Sequence, residues 1–261
     1  MGVESVPTLI VVPVRAESDE ELEPILQTLV SVTATAPDAM VLVVDDRSPA
    51  PQAQMIEVAA AELNCAHVVQ QEGEEGRLAA FNVGLAVALE HDLDVCFIAP
   101  GLVLDSPGWL DRLRARTGTD GLPAAVAGGP VVEPTGTIRH AGYYFSRFRR
   151  QWDTRLAGVP EVILEVEKPT LVPVSDELLF VRKEWIERVP AFDELLDPSY
   201  GALDYCVRIS QAGGQSVLEP TVCARAISPR DGKLSDATAA AERVREKHSQ
   251  LNLARWAPEV I

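Results

Sequence analysis

The sequence predicts one continuous α/β domain with a mainly parallel central sheet flanked by helices. Short apolar runs rich in β-branched residues alternate with amphipathic segments in the N-terminal part, the pattern of strands joined by crossover helices. The second and fourth runs end at Asp45-Asp46-Arg47-Ser48-Pro49 and at Ala99-Pro100-Gly101, and the carboxyl ends of strands are where such sheets bind ligands. No internal repeat or low-complexity linker interrupts the 261 residues, a length that suits one large domain or two small ones.

Residues 8–14 (TLIVVPV) form the first buried strand. Residues 19–32 carry Leu22, Ile25, Leu26 and Leu29 at helical spacing. Residues 40–44 are a second buried strand, 54–63 a helix, 66–69 a third strand, 76–90 a helix and 95–98 a fourth strand. The second half is less regular. Residues 124–132 and 138–145 read as strands around a turn at Pro134-Thr135-Gly136. Residues 161–167 alternate Val162, Leu164 and Val166 as a half-exposed strand would. Residues 178–181 are a strand leading into a helix at 183–188. Residues 203–212 are helical and stop at Gly213-Gly214. Residues 216–218 return as a strand, and 235–252 form a terminal helix. The expected division is a first half over about 7–104, a second half over about 105–230 and a helical tail over 231–261.

Composition narrows the function. Apolar residues make up 47% and charged residues 24%, the ordinary range of a soluble globular chain. A net charge of −16 disfavours nonspecific binding to nucleic acid and to anionic membranes, both of which need a basic surface. No apolar run reaches the ~18 residues of a membrane span. Residues 1–5 carry no basic stretch ahead of an apolar one, so a secretory leader is not expected. The four cysteines form no Cys-x-x-Cys pair and read as free thiols, with a cytoplasmic compartment as the expectation. The scattered histidines suit no zinc site, and there is no phosphate-binding glycine fingerprint and no nucleophile elbow.

Four ordered blocks carry a resemblance. They are the first strand with Pro13-Val14 and the acidic helix start after it; Val43-Val44-Asp45-Asp46-Arg47-Ser48; Gly76-Arg77-Leu78-Ala79-Ala80-Phe81-Asn82-Val83-Gly84; and the stretch 178–220, with Arg182-Lys183-Glu184, Phe192-Asp193-Glu194, Asp204 and Ala212-Gly213-Gly214. Together they resemble the family 2 glycosyltransferases over roughly residues 8–228. The resemblance implies a GT-A-like fold with a nucleotide-binding half over about 7–104 and an acceptor half over about 105–230, a nucleotide-diphosphate sugar as donor, transfer to a hydroxyl acceptor and inversion at the anomeric carbon. Asp45 and Asp46, beside Pro13, would accept hydrogen bonds from a base or ribose, unless they only cap their loop. Arg77 would reach the base or the diphosphate, whereas Asn82 and Gly84 are expected to serve packing and loop anchoring. The turn at Ile138-Arg139-His140-Ala141-Gly142 resembles one found in some members.

The pattern breaks where the family does its chemistry. Its metal-binding Asp-x-Asp after the fourth strand aligns with Ala99 and Gly101, so a divalent metal is not expected to bind by that route, and these residues would only floor the diphosphate site. The carboxylate that would deprotonate the acceptor aligns with Ala202, leaving Asp204 as the nearest match for a catalytic group. A histidine often found after the last strand is replaced within Ala226-Ile227-Ser228. Two readings remain. One is a metal-independent transferase in which His140, Arg149 and Arg150, part of a basic island with Arg139 and Arg147, replace the metal's charge. The other is an inactive relative serving as a nucleotide-binding or assembly module. Glycan, lipid, protein and modified DNA all stay open as acceptors.

Overall fold

Strand β1 (Thr8–Val14) is buried along its whole length, because it lies in the middle of a sheet covered on both faces. The computed structural model describes residues 6–65, 67–70, 76–117, 124–229 and 237–251. After β1 come α1 (Asp19–Thr35), β2 (Met40–Asp45), α2 (Ala50–Glu62), β3 (His67–Gln70), α3 (Arg77–Glu90), β4 (Asp94–Ile98), β5 (Leu102–Val103) and α4 (Trp109–Arg116). Then follow β6 (Val126–Gly128), β7 (Val131–Val132), β8 (Ile138–His140), β9 (Tyr143–Ser146), β10 (Gln151–Thr154) and a 3-10 turn (Glu161–Glu165). The chain continues through β11 (Thr170–Leu171), β12 (Leu178–Val181), α5 (Lys183–Ile186), α6 (Pro198–Gln211), β13 (Ser216–Leu218), β14 (Ala224–Ala226) and α7 (Ala237–Lys247).

The main sheet has eight strands in the order β11-β13-β6-β12-β4-β1-β2-β3. Strands β4, β1, β2 and β3 are parallel. β12 enters between β4 and β6 and runs antiparallel to both. A smaller sheet, β5-β14-β7-β8, and the β9–β10 hairpin complete the strands. The predicted fold class thus stands: a mixed α/β domain with a mostly parallel central sheet.

Alternation along β1 divides the interior. Ile10, Val12 and Val14 join Leu22, Ile25, Leu29 and Val32 of α1 in one core. Leu9 and Val11 join Leu78, Phe81 and Leu85 of α3 in the other. The α3 backbone comes so close to β1 that a Cβ on Gly84 would stand 2.6 Å from a Val11 methyl, so the helix needs glycine there. Asn82, two residues earlier, donates to the Phe192 carbonyl at 3.1 Å and accepts from the Phe192 N–H at 2.7 Å. Both residues have the packing and anchoring parts expected of them.

Several expectations need correction. Residues 161–167 are not a strand. Pro160 precedes a 3-10 turn closed by Ile163 N–H to the Pro160 carbonyl, and Val162 and Val166 point to solvent. The long runs expected at 124–132 and 138–145 are each broken in two, by Gly129-Pro130 and by the positive φ of Gly142. Helix α6 begins at Pro198, five residues before the expected start at Leu203, because proline suits a first helical turn. The helix expected at 183–188 is the single turn α5. Ala66, Ser235, Asp236 and Asn252, at the edges of expected elements, lie outside the described residues.

Candidate functional site

The carboxyl edge of the parallel strands carries the candidate site. At the end of β2 the loop folds back on β1: Asp46 N–H donates to the Val14 carbonyl at 2.8 Å, and Ala16 N–H donates to Ser48 Oγ at 3.0 Å. Each Asp is buried and half used. Asp45 Oδ1 accepts from Ser48 N–H at 2.9 Å, and Asp46 Oδ2 accepts from Gly76 N–H at 2.8 Å, just ahead of α3. Asp45 Oδ2 and Asp46 Oδ1 are buried with no hydrogen-bond partner among the described residues. Capping therefore accounts for one oxygen of each carboxylate and leaves the other to be satisfied, a state that is costly in a buried group.

Beyond Gly76, Arg77 opens α3 and reaches into a cavity of about 150 Å³ lined by Arg77, Ala99, Pro100, Arg139, His140, Tyr143, Ser175, Asp176 and Glu177. β12 explains the acidic wall. Because this strand runs antiparallel to β4, the residues just before it sit at the same edge as the residues just after β4. Ala99 N–H donates to the Glu177 carbonyl at 2.9 Å and fixes the two segments together. Arg77 Nη1 holds Asp176 Oδ2 at 2.7 Å. Arg139 Nη1 donates to Glu177 Oε1 at 2.9 Å, and its Nε and Nη2 bind both oxygens of Glu133, at 2.7 and 3.0 Å. Glu177 Oε2 is buried without a partner among the described residues. Burial pushes the Asp176 carboxyl above its ordinary value, against the pull of the Arg77 guanidinium. His140 Nδ1 accepts from Gly142 N–H at 2.9 Å, and its ring meets Tyr143 edge-on at 4.4 Å.

Of the residues predicted from sequence, the structure brings Arg77, Ala99 and His140 into one cavity, with Asp46 joined to it through Gly76, while Gly101 follows the lining residue Pro100 and is not itself in the lining. Pro13 is buried in β1 opposite Val44 and packs within the sheet. Arg149 and Arg150 do not line the cavity; they lie on the exposed turn between β9 and β10, where Arg149 pairs with Asp153 at 2.7 Å. Asp204 is also absent from the lining. It is fully buried on α6, bound to Arg208 Nε at 2.7 Å and to Lys247 Nζ and His248 Nε2 of the C-terminal segment, both at 2.8 Å. Burial alone would raise its carboxyl, but these cationic and hydrogen-bonding neighbours bring it down to about 2. Ala202 faces the second core and is wholly buried, so a carboxylate there would stand among apolar side chains.

Sequence reasoning missed Ser175, Asp176 and Glu177. The signal was present: two carboxylates directly ahead of an apolar strand. Their meaning depends on the direction of that strand, which periodicity does not give. A divalent metal fits this donor set poorly. Ala99, Pro100 and Gly101 offer no side-chain oxygen, the two cavity carboxylates are held by guanidinium groups, and among the described residues no group of three or more His, Cys, Asp or Glu is placed to hold an ion. Among the described residues, no helix is long and apolar enough to cross a membrane.

A mostly parallel sheet with an antiparallel strand beside its fourth strand, and a cavity at the carboxyl edge, is the GT-A architecture. The chain is similar to a structure of GalNAc-T7 with UDP, GalNAc and Mn2+, with 18% identity and a TM-score of 0.68, covering 93% of this chain and 48% of that one. It is also similar to the mannosyltransferase PcManGT from Pyrobaculum calidifontis in complex with GDP-Man and Mn2+, with 14% identity and a TM-score of 0.65, covering 95% of this chain and 65% of that one. The chain spans less than two thirds of the length of either, and at these identities the likeness speaks to the fold. No family model and no curated protein matches the sequence.

Proposed function

We propose that this chain binds a nucleotide-diphosphate sugar at the carboxyl edge of its sheet and transfers the sugar to a hydroxyl acceptor, with Asp176 as the general base in place of Asp204. The observation that carries the reading is the continuous polar path Asp46–Gly76–Arg77–Asp176. It joins Asp46, whose other oxygen is unsatisfied, to the cavity, with Asp45 its neighbour in the chain. The nucleotide-sugar ligands of the two similar structures support the same donor class.

The path suggests how binding and chemistry are coupled. Asp45 Oδ2 and Asp46 Oδ1 accept hydrogen bonds from the nucleoside. The diphosphate draws Arg77 away from Asp176, since guanidinium groups pair well with phosphate oxygens. Freed of its partner in a buried place, Asp176 becomes the stronger base. It takes the proton of the acceptor hydroxyl as that oxygen attacks the anomeric carbon. The bond from that carbon to the phosphate oxygen breaks, and the electron pair leaves with the nucleoside diphosphate, beside Arg77 and Arg139. A single displacement of this kind inverts the anomeric centre. Glu177 Oε2 accepts a hydrogen bond from a sugar hydroxyl. In this scheme the two guanidinium groups take the metal's place at the leaving group.

Calorimetry with a panel of nucleoside diphosphates, in chelator and then in Mn2+, tests the binding half. Binding in chelator is expected, and no binding to any of them removes the proposal. Asp176→Asn keeps the shape of the site and is expected to lower turnover by about 10²–10⁴ while nucleotide still binds. Turnover that survives this substitution transfers the base to another group. Nucleotide binding with no turnover across a broad donor and acceptor screen leaves a binding module.

A further inference from the structure

The hairpin between β9 and β10 has no part in the cavity chemistry, yet its tip is the most exposed apolar point among the described residues. Phe148 is 98% exposed, and Arg147, Arg149 and Arg150 around it are exposed too. A solvent-facing phenyl ring gains nothing from folding. Three arginines flank it in a chain of net charge −16, and with Arg149 paired to Asp153 the tip still carries more positive than negative charge.

The base of the hairpin is held firmly. Tyr143, Phe145 and Trp152 are buried in a third apolar cluster with Tyr200, Leu203, Val207 and Val244. Phe145 and Trp152 meet edge-on at 5.5 Å, directly across from each other in the ladder. The turn is closed by Arg149 N–H donating to Ser146 Oγ at 3.2 Å. A rigid stem thus presents an aromatic and basic tip. Tyr143, at the foot of the stem, lines the cavity.

We propose that this tip docks the protein on a bilayer of anionic lipid, with Phe148 entering the interface and the arginines meeting lipid phosphates. An aromatic side chain beside arginines suits that boundary, where an apolar body and a charged surface are offered together. Charge is felt over only ~8 Å at physiological salt, so the tip meets a surface by its own local charge and not by the sum over the chain. Phe148 favours a bilayer over a nucleic acid, because arginines alone would serve a phosphate backbone, whereas an exposed ring at the point of a turn suits an apolar interface. Docking itself is independent of the transferase reading, because it is measured without donor or turnover.

The test is sedimentation of the full chain with phosphatidylglycerol-containing vesicles and with pure phosphatidylcholine vesicles. Binding to the anionic vesicles alone is expected. Replacing Arg147, Arg149 and Arg150 by Gln should weaken it by about fivefold for each charge removed, and Phe148→Ala should weaken it separately. Phe148→Trp should keep binding and add a fluorescence signal that shifts to the blue with anionic vesicles. Circular dichroism monitors the fold of each variant. The proposal is overturned if the wild-type chain ignores anionic vesicles, or if the Phe148→Ala and arginine variants bind as well as it does. It is also overturned if the tip prefers a single-stranded oligonucleotide to lipid.

Discussion

A carboxylate becomes a base or a structural anchor according to what surrounds it, and Asp176 and Asp204 stand in opposite surroundings. Asp204 is bound by three cationic or protonatable groups, which bring it down to about 2 and tie its oxygens to α6 and the C-terminal segment. Asp176 is raised by burial and has one guanidinium partner that a phosphate can draw away. Position in an aligned block favoured Asp204, and neighbours favour Asp176. Gly101 shows the same dependence on surroundings. Its φ of +82° is natural for glycine and strained for other residues, its N–H donates to Thr28 Oγ1 at 2.9 Å, and its carbonyl accepts from Ile227 N–H at 2.9 Å. No atom stands nearer than 3.8 Å to a Cβ built there, so the penalty on a side chain is conformational and not steric. Gly101→Ala is expected to lower the unfolding free energy by about 1–2 kcal/mol, read by urea denaturation. An unchanged midpoint would show that the turn relaxes freely.

At the scale of elements, α7 is held to the body by a few strong polar contacts and a small apolar patch. Lys247 bridges Asp193 and Asp204, at 2.6 and 2.8 Å, and His248 meets Asp204 from the same segment. The folded-state value of Asp204 is depressed from 3.8 to about 2. Its stabilisation is therefore full above about pH 4 and disappears as the pH falls through about 2, with a magnitude on the order of 2 kcal/mol. Asp193 is also lowered, first by its bond from Lys247, and adds in the same direction. Asp94 and Asp176 are raised by burial and act in the opposite sense, so the whole-protein curve mixes signs. The difference between the wild type and Asp204→Asn isolates the one group. The wild type should be the more stable at pH 7, and its advantage should shrink steadily below about pH 4. An advantage that does not change with pH would mean that Asp204 acts by shape and not by charge.

Elements also show what was legible in advance. Strands β1, β2, β4 and β12 were readable because burial on both faces demands unbroken apolar runs, and α1 and α3 because a helix lying on a sheet shows a 3.6-residue stripe. Two-residue strands such as β5 and β7 carry too few side chains to show a period. Helix α4 was missed although Trp109, Leu110 and Leu113 bury one face; its eight residues hold barely two turns. The aspartate edge of the candidate site was legible because Asp45 and Asp46 follow their strand in sequence. The acidic wall of the cavity was not, since it comes from the start of β12, and only the sheet order carries it next to Ala99.

On the scale of the whole molecule, the proposed site belongs to no single element. β2 supplies the aspartates, α3 the arginine, β4 the floor and the segment before β12 the carboxylates, so a ligand that touches all of them ties both halves of the sheet together. Such a ligand binds the folded chain and finds nothing to bind in the unfolded one. A nucleoside diphosphate at a hundred times its Kd should then stabilise the fold by about 2.7 kcal/mol, which for a chain of this size raises Tm by roughly 5–10 °C. The rise should persist in chelator if Arg77 and Arg139 are the counter-charges. It should fall sharply in Arg77→Ala, which removes the cation on the nucleotide side and leaves Asp176 without its partner. Arg139→Ala makes a poorer probe, because that side chain also holds Glu133 and the Ser228 carbonyl and its loss disturbs the fold. Scanning calorimetry of the wild type and Arg77→Ala, each with and without ligand, separates the two effects. A ligand-induced rise of equal size in both proteins would place the diphosphate elsewhere, and a rise that needs Mn2+ would show that the guanidinium groups do not stand in for a metal.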